Sequence, residues 1–417
     1  MNLHLKRFAL AALPLALLLT SCGSKGQAPD TPEVQAAEIQ PVTGLGEQIN
    51  RLGLELFGKL RQEQQGNLII SPYSIYSALA LAYNGSAGET AEELGQLLGY
   101  KPGERSLMNQ EHLALMEHLE TTAEDIELKI ANSVWVEQGL TLREPYRKQS
   151  DTYYSASIHT AELASEQAVT DINKWVSEQT KGRISRMLET PITPDPATVL
   201  LNALYFAAGW QQVFPEENTA AGDFAVDKAT TVQAMMMQRS GMYMYAETED
   251  WQAVRLPFSN SSMGMLILLP GKHSSVQELT ERLSRGEIPP VEQMEGKTGS
   301  LTLPQFSASF DTDLKEAVRA LGVKLAFDKR RGDFSELVKL KDPLYIDRIL
   351  HKTFIHVDEK GTEGAASTLV GMLAGGAPPQ DEPFEMQVNR PFIMAVEDWA
   401  SGSWLFLGAI ENPLDPS

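Results

Sequence analysis

The chain has 417 residues, 42% of them hydrophobic, enough to bury a sizeable core in one large domain or two ordinary ones. A formal charge of −20, with no Lys/Arg cluster, excludes a surface built for nucleic acid or for anionic lipid headgroups. The single cysteine, Cys22, excludes an intramolecular disulfide, so stability must come from burial and hydrogen bonding.

Residues 1–21 read as a signal peptide. Lys6 and Arg7 form a positive start, and Phe8 to Leu19 is an almost wholly apolar stretch too short to span a bilayer as a stable anchor. Leu19-Thr20-Ser21-Cys22 resembles the lipobox of bacterial lipoproteins, in which small residues suit a signal peptidase and the cysteine thiol takes the lipid. One acyl chain holds a membrane marginally and two or more hold it stably; lipoproteins of this kind resemble the stable case. Gly23 follows, where an Asp would suggest inner-membrane retention. The expectation is a secreted protein lipid-anchored through Cys22 to a bacterial membrane, with the outer membrane favoured. Residues 22–43, rich in Gly, Ser, Pro, Ala, Gln and Glu, read as a flexible tether. No later linker or repeat interrupts the chain, so 44–417 reads as one domain.

Gly44 to Gln62 places Ile49, Leu52, Leu56 and Leu60 at helical spacing. Ser71-Pro72 opens a second helix, Ser as cap and Pro in the first turn, which stops at Asn84-Gly85. Thr90 to Leu98 is a third. Strand-like runs follow at 130–136, 199–206, 243–245 and 263–269, then a helical pattern at 313–321 and extended apolar runs at 354–357, 392–396 and 404–410. Early helices and late strands without regular alternation predict an α+β fold with largely antiparallel sheet.

Catalytic signatures are missing. The chain has no Gly-x-Ser-x-Gly elbow and no His-Glu-x-x-His helix. His351 and His356 stand apart from other ligand types, so neither metal nor cofactor is expected. Gly53 to Leu60 falls one residue short of a phosphate loop: it lacks the Ser/Thr that would hold magnesium, and it lies within a helix with no strand before it.

Residues 358–389 are the unusual segment. Read at period two, Thr362, Gly364, Ala366, Thr368, Val370 and Met372 make one face, small at first and then larger and apolar. The alternate positions Glu363, Ala365, Ser367, Leu369 and Gly371 tolerate solvent. This is a strand able to slide between existing strands and bury one side. Pro378 and Pro379 cannot donate ladder hydrogen bonds and bar themselves from a central strand. A strand-competent segment beside one that is not suits a loop that inserts conditionally.

Glu359 to Thr368 (EKGTEGAAST) resembles the reactive-loop hinge of the serpin family, and Met386 to Met394 (MQVNRPFIM) resembles that family's C-terminal signature. Asn67 to Leu94, Leu201 to Trp210 (LNALYFAAGW) and Leu350-His351-Lys352 are similar to it in the same order. The resemblance implies a serpin fold, three β-sheets with about nine helices and an exposed C-terminal reactive loop, in a metastable native state. It also implies a single-use protease trap that turns nothing over, driven by the gain of a central strand after the loop is acylated. The hinge would comprise Glu359, Gly361, Thr362, Glu363, Gly364, Ala365, Ala366, Ser367 and Thr368. Gly361 would sit at the bend and Thr362 would insert first. Gly364 departs mildly from the usual Ala. With no Pro or charged residue at the inward positions, an inhibitory member is favoured. Ser71, Ser74, Asn202 and His351 match the polar cluster beneath the central strands, and Trp210 the aromatic residue where insertion starts. Gln305 stands where the pattern has a Lys opposite Glu359, so that charge pair is lost.

Counting from Glu359 as the family does puts the cleaved bond between Gly375 and Gly376, with Met372, Leu373, Ala374 and Ala377 as alternatives. No Lys or Arg lies between Lys360 and Arg390, which argues against a trypsin-like target whose acidic pocket would be left unpaired. Elastase-like and subtilisin-like serine proteases are the expected partners, with papain-like cysteine proteases beside them, and the protein is expected to be a monomer. The main rival is a non-inhibitory serpin that acts by binding. A hydrolase is the rival of another class, and its turnover would depend on Ser71 or His351.

Overall fold

Eight α-helices lie among the residues that the computed structural model describes, which are 43–122, 126–192, 197–259, 262–287, 294–339, 343–362 and 382–415. Cys22 falls outside them. So do the hinge residues Glu363, Gly364, Ala365, Ala366, Ser367 and Thr368, and every candidate cleavage residue (Met372, Leu373, Ala374, Gly375, Gly376 and Ala377).

Helix α1 (Thr43–Glu63) buries Leu45, Ile49, Leu52, Leu56 and Leu60, the stripe that its spacing predicts. Helix α2 (Pro72–Gly85) is buried on every side. Ser71 caps it, its Oγ accepting the Ser74 N–H at 3.2 Å, and Pro72 occupies the first turn, where its missing N–H costs nothing. Helix α3 (Gly88–Leu98) follows and ends at Gly99, whose φ of +86° is the left-handed cap that glycine supplies. The remaining helices are α4 (Arg105–Thr122), α5 (Glu144–Tyr154), α6 (Glu166–Gln179), α7 (Val276–Ser284) and α8 (Lys315–Ala320).

Among the described residues fifteen strands, numbered in chain order, form two hydrogen-bonded assemblies. The nine-stranded one holds β1 (Leu68–Ile70), β5 (Ala220–Ala225), β6 (Thr231–Glu247), β7 (Trp251–Pro257), β8 (Met263–Pro270), β9 (Glu295–Pro304), β13 (Phe384–Gln387), β14 (Phe392–Asp398) and β15 (Trp404–Ile410). Strand β6 pairs with β5 through residues 231–236 but with β7 only through 244–247. Its two ends therefore serve two sheets, which with the next assembly make three.

The six-stranded sheet runs β10 (Phe306–Asp313), β11 (Tyr345–Val357), β12 (Gly361–Thr362), β4 (Ala197–Gly209), β2 (Ile126–Glu137), β3 (Ser157–Ala161). Pairing is mostly antiparallel. Strands β4 and β11, however, lie parallel from Ala197/Tyr345 to Leu204/Thr353, and the two-residue β12 fits between their far ends, antiparallel to both. Thr362 of β12 thereby pairs with Val357 of β11 on one side and Ala208 of β4 on the other. Helix α2 supports this sheet from below and joins it to β15 in one continuous apolar core.

Candidate functional site

The site is the seam between β4 and β11. At its upper end the chain leaves β11 at Val357, turns through Asp358 and Glu359, and comes back at Gly361. The Asp358 carboxylate makes that turn, accepting the N–H groups of Lys360 at 2.8 Å and Gly361 at 3.1 Å. His356 lies 3.7 Å from the same carboxylate and bonds Ser307 on β10 at 2.7 Å through its other ring nitrogen. His356 first, and then the two backbone N–H groups, hold the Asp358 carboxyl below its ordinary range.

Gly361 has φ of +148°, and a Cβ there would run into the Ala208 carbonyl oxygen, so only glycine serves. Thr362 then drops into the seam. It is wholly buried, pairs with Val357 on one side and Ala208 on the other, and its Oγ accepts the Ala208 N–H at 2.8 Å.

Trp210, at the end of β4, clamps this turn from two sides. Its backbone N–H donates to Lys360 O at 2.8 Å and its indole N–H to Asp358 O at 2.9 Å. The ring stacks on Phe258 with centroids 5.1 Å apart and meets Phe214 edge-on. Gln305 does lie opposite Glu359, as the resemblance implies. The charge pair is lost but the contact is not: the Gln305 amide donates to both Glu359 oxygens at 2.8 Å, and Thr219 Oγ donates to one of them at 2.6 Å.

Lower in the seam, His351 on β11, Asn202 on β4 and Asn132 on β2 stand in one cross-strand row, all buried. His351 Nδ1 donates to Asn202 Oδ1 at 3.0 Å, and Asn202 Nδ2 donates to Asn132 Oδ1 at 2.6 Å. His351 Nε2 accepts the Ser71 backbone N–H at 3.0 Å, which fixes the neutral tautomer. Burial pushes its pKa down to about 3. Thr353 Oγ, one pleat along β11, donates to Ile69 O at 2.7 Å.

Ser71 and His351 do not make a nucleophile–base pair. The imidazole meets the serine backbone, while the hydroxyl serves as the cap of α2. Ser74 stands in the cluster through its backbone, and its own Oγ has no hydrogen-bond partner among the described residues. Among those residues no group of His, Cys, Asp and Glu is placed to hold a metal ion. Asn132, Thr353, Thr219 and Asp358 complete the site. Asn132 carried a sequence signal, a polar residue amid the apolar run 130–136, whereas the roles of Thr219 and Asp358 depend on segments distant in sequence.

The His351–Asn202 bond joins β11 to β4 in this row, and leaving such buried groups unpaired costs about 1–3 kcal/mol each.

The family model described as Serpin (serine protease inhibitor) matches residues 47–413. An uncharacterized serpin-like protein of Thermococcus kodakarensis is 32% identical over 88% of this chain and 85% of its own length. Serpin B13 of Homo sapiens is 28% identical over 88% of this chain and 99% of its own. Among solved structures, Serpin48 of the insect Tenebrio molitor superposes with a TM-score of 0.80 at 28% identity, covering 90% of this chain and 99% of its own. The thermophilic serpin tengpin, in its native state, superposes with a TM-score of 0.79 at 29% identity, covering 88% and 93%. The chain belongs to the serpin family, whose members are in general protease inhibitors and not catalysts.

Proposed function

We propose that this serpin is an inhibitory one, a suicide substrate for proteases that prefer small or aliphatic residues. The observation that carries this reading is the seating of Gly361 and Thr362 between β4 and β11, antiparallel to both. A loop that has already placed its first residues in the seam has only to zip onward.

The register supports how far it would go. Extending the pairs Thr362–Ala208 and Thr362–Val357 along the two strands brings Thr368 opposite both Asn202 and His351, from both sides independently. It brings Leu373 opposite Ala197, the first residue of β4. The slot is thus used up just before Ala374 and Gly375, which favours a cleaved bond after Leu373, Ala374 or Gly375 over one after Met372. The side chains preceding those bonds fit elastase-like and subtilisin-like pockets, and the Leu fits papain-like ones.

We further propose that the mature chain is a monomer tethered through a lipidated Cys22 to a bacterial membrane, the outer membrane favoured. Metabolic labelling with a radioactive fatty acid should mark the wild type and leave Cys22→Ser unmarked.

Incubation with pancreatic elastase and with subtilisin tests the inhibitory reading. A protease complex that survives denaturing electrophoresis, with a released C-terminal peptide starting at Ala374, Gly375 or Gly376, is the expected result. Clean cleavage by both enzymes without a complex would overturn it in favour of a serpin that acts by binding.

A further inference from the structure

Among the described residues six large apolar side chains are well exposed, and three of them, Met235, Met242 and Met244, belong to β6. Met242 is the most open at 58%. Alternation explains the position of Met242 and Met244. Tyr243 and Tyr245 point inward, where Tyr245 stacks on Phe384 at 3.8 Å, and Met242 and Met244 point to the opposite face. On that outer face Met242 and Met244 pair with Thr298 and Gly296 of β9, and Ser240 pairs with Ser300. The result is a patch whose own side chains are uncharged, bordered by Arg255 opposite Met244 and Glu385 opposite Ser300, in a chain whose net charge is −20. Exposed methionines grouped on one face are unusual for a lone soluble surface, and their flexible thioethers adapt to varied apolar partners.

We infer that this face of β6 and β9 is a secondary docking surface for the body of the target protease, a deduction that rests on the inhibitory reading above. Its position supports this occupant. The chain comes back from the reactive segment at Phe384, which is fixed against the inner side of β6, and Glu385 shares a cross-strand row with Ser300 and Ser240. At a strand spacing of about 4.8 Å, that row is only about 10 Å wide. Fully extended, the chain from Gly375 to Phe384 reaches at most about 30 Å. A protease of about 230 residues has a radius of gyration of about 17 Å. An enzyme engaged at the candidate bond is therefore held within reach of the methionines.

The test compares wild type, Met242→Ser/Met244→Ser and Met242→Leu/Met244→Leu against pancreatic elastase and subtilisin. The expected result is a second-order inhibition rate constant about tenfold lower in the serine pair with at least one enzyme, restored by the leucine pair. Stoichiometry of inhibition, which is set after acylation, and the thermal midpoint should not change; a merely structural role would move both. Ser240→Glu, on the same face, should slow the same reaction if the serine pair folds poorly. Rate constants within about twofold of wild type in all variants, with wild type forming complexes normally, would overturn this inference alone. Failure of the wild type to trap either protease would overturn the inhibitory reading, and this surface with it.

Discussion

His351 and Asn202 face each other across parallel strands, 3.0 Å apart, and this one side-chain bond ties β11 to β4 at the level of the α2 cap. His351→Leu keeps the bulk but leaves the Ser71 N–H and Asn202 Oδ1 unpaired, at about 1–3 kcal/mol each. The native thermal midpoint at pH 7 should fall by roughly 3–8 °C, and spontaneous conversion to an inserted, inactive form should accelerate. Calorimetry and residual inhibitory activity after warm incubation measure the two effects.

The same histidine sets a pH dependence. Burial lowers its pKa to about 3, and that of the buried His112 to about 4, against about 6.5 unfolded. The unfolded chain therefore binds protons that the folded one refuses as pH falls below about 6.5. Native stability is fully present above that value and declines toward pH 3–4, by up to about 1.4 kcal/mol per pH unit for each group. Denaturant titrations at pH 7.5, 5.5 and 4.5 should show this slope. His351→Leu should show a shallower one.

Thr362 occupies a space with no solvent exposure and uses its hydroxyl on the Ala208 N–H. An arginine there would have to bury a charge with no partner, at several kcal/mol. Thr362→Arg should fold, because the first two inserted residues can simply be expelled. It should then be cleaved as a substrate, with far less stable complex per molecule consumed. Densitometry of complex against cleaved serpin reads the ratio.

Gln305 Nε2 holds Glu359 by donating to both oxygens of its carboxylate, and a hydrogen bond to a charged group is worth about 1.5–3 kcal/mol. The amide is neutral, so this latch should respond little to salt. Gln305→Ala should loosen the turn and quicken loop insertion in the absence of protease, at low and high ionic strength alike. Gln305→Lys should restore a latch whose strength falls as salt rises. The rate of activity loss at several ionic strengths distinguishes them.

What the sequence made legible follows from what each element depends on. Helices α1 and α2 stood out because caps and a clean apolar stripe are local signals. Helix α4 did not, because its buried face includes Asn109 and His112. Those two are satisfied only by distant partners: Asn84 and Tyr154 for the asparagine, Ser77 and Tyr153 for the histidine. Of the period-two pattern that starts at Thr362, only Thr362 lies among the described residues, and it is buried. The depth to which the hinge is already seated depends on Ala208, far away in sequence. Likewise the loss of a lysine at Gln305 was readable, but its replacement by an amide latch with Thr219 needed the approach of three separate segments.

Thr368 shares the inward parity of Thr362, and continuing the pairs from Thr362 sets it opposite Asn202 on β4 and His351 on β11. Insertion must break the His351–Asn202 bond, and a hydroxyl arriving between those groups can accept from the imidazole N–H and donate to the amide oxygen. Thr368→Val keeps the shape and removes both functions. The native state should be unaffected, since its row is complete without residue 368, and the thermal midpoint before cleavage should match wild type. After cleavage, the inserted form should be less stable by about 1–3 kcal/mol for each group left unpaired, and slower insertion should let more proteases escape by hydrolysis. A raised stoichiometry of inhibition with an unchanged native midpoint is the expected pair of results. An unchanged stoichiometry would mean that the inserted strand does not keep the register set at Thr362.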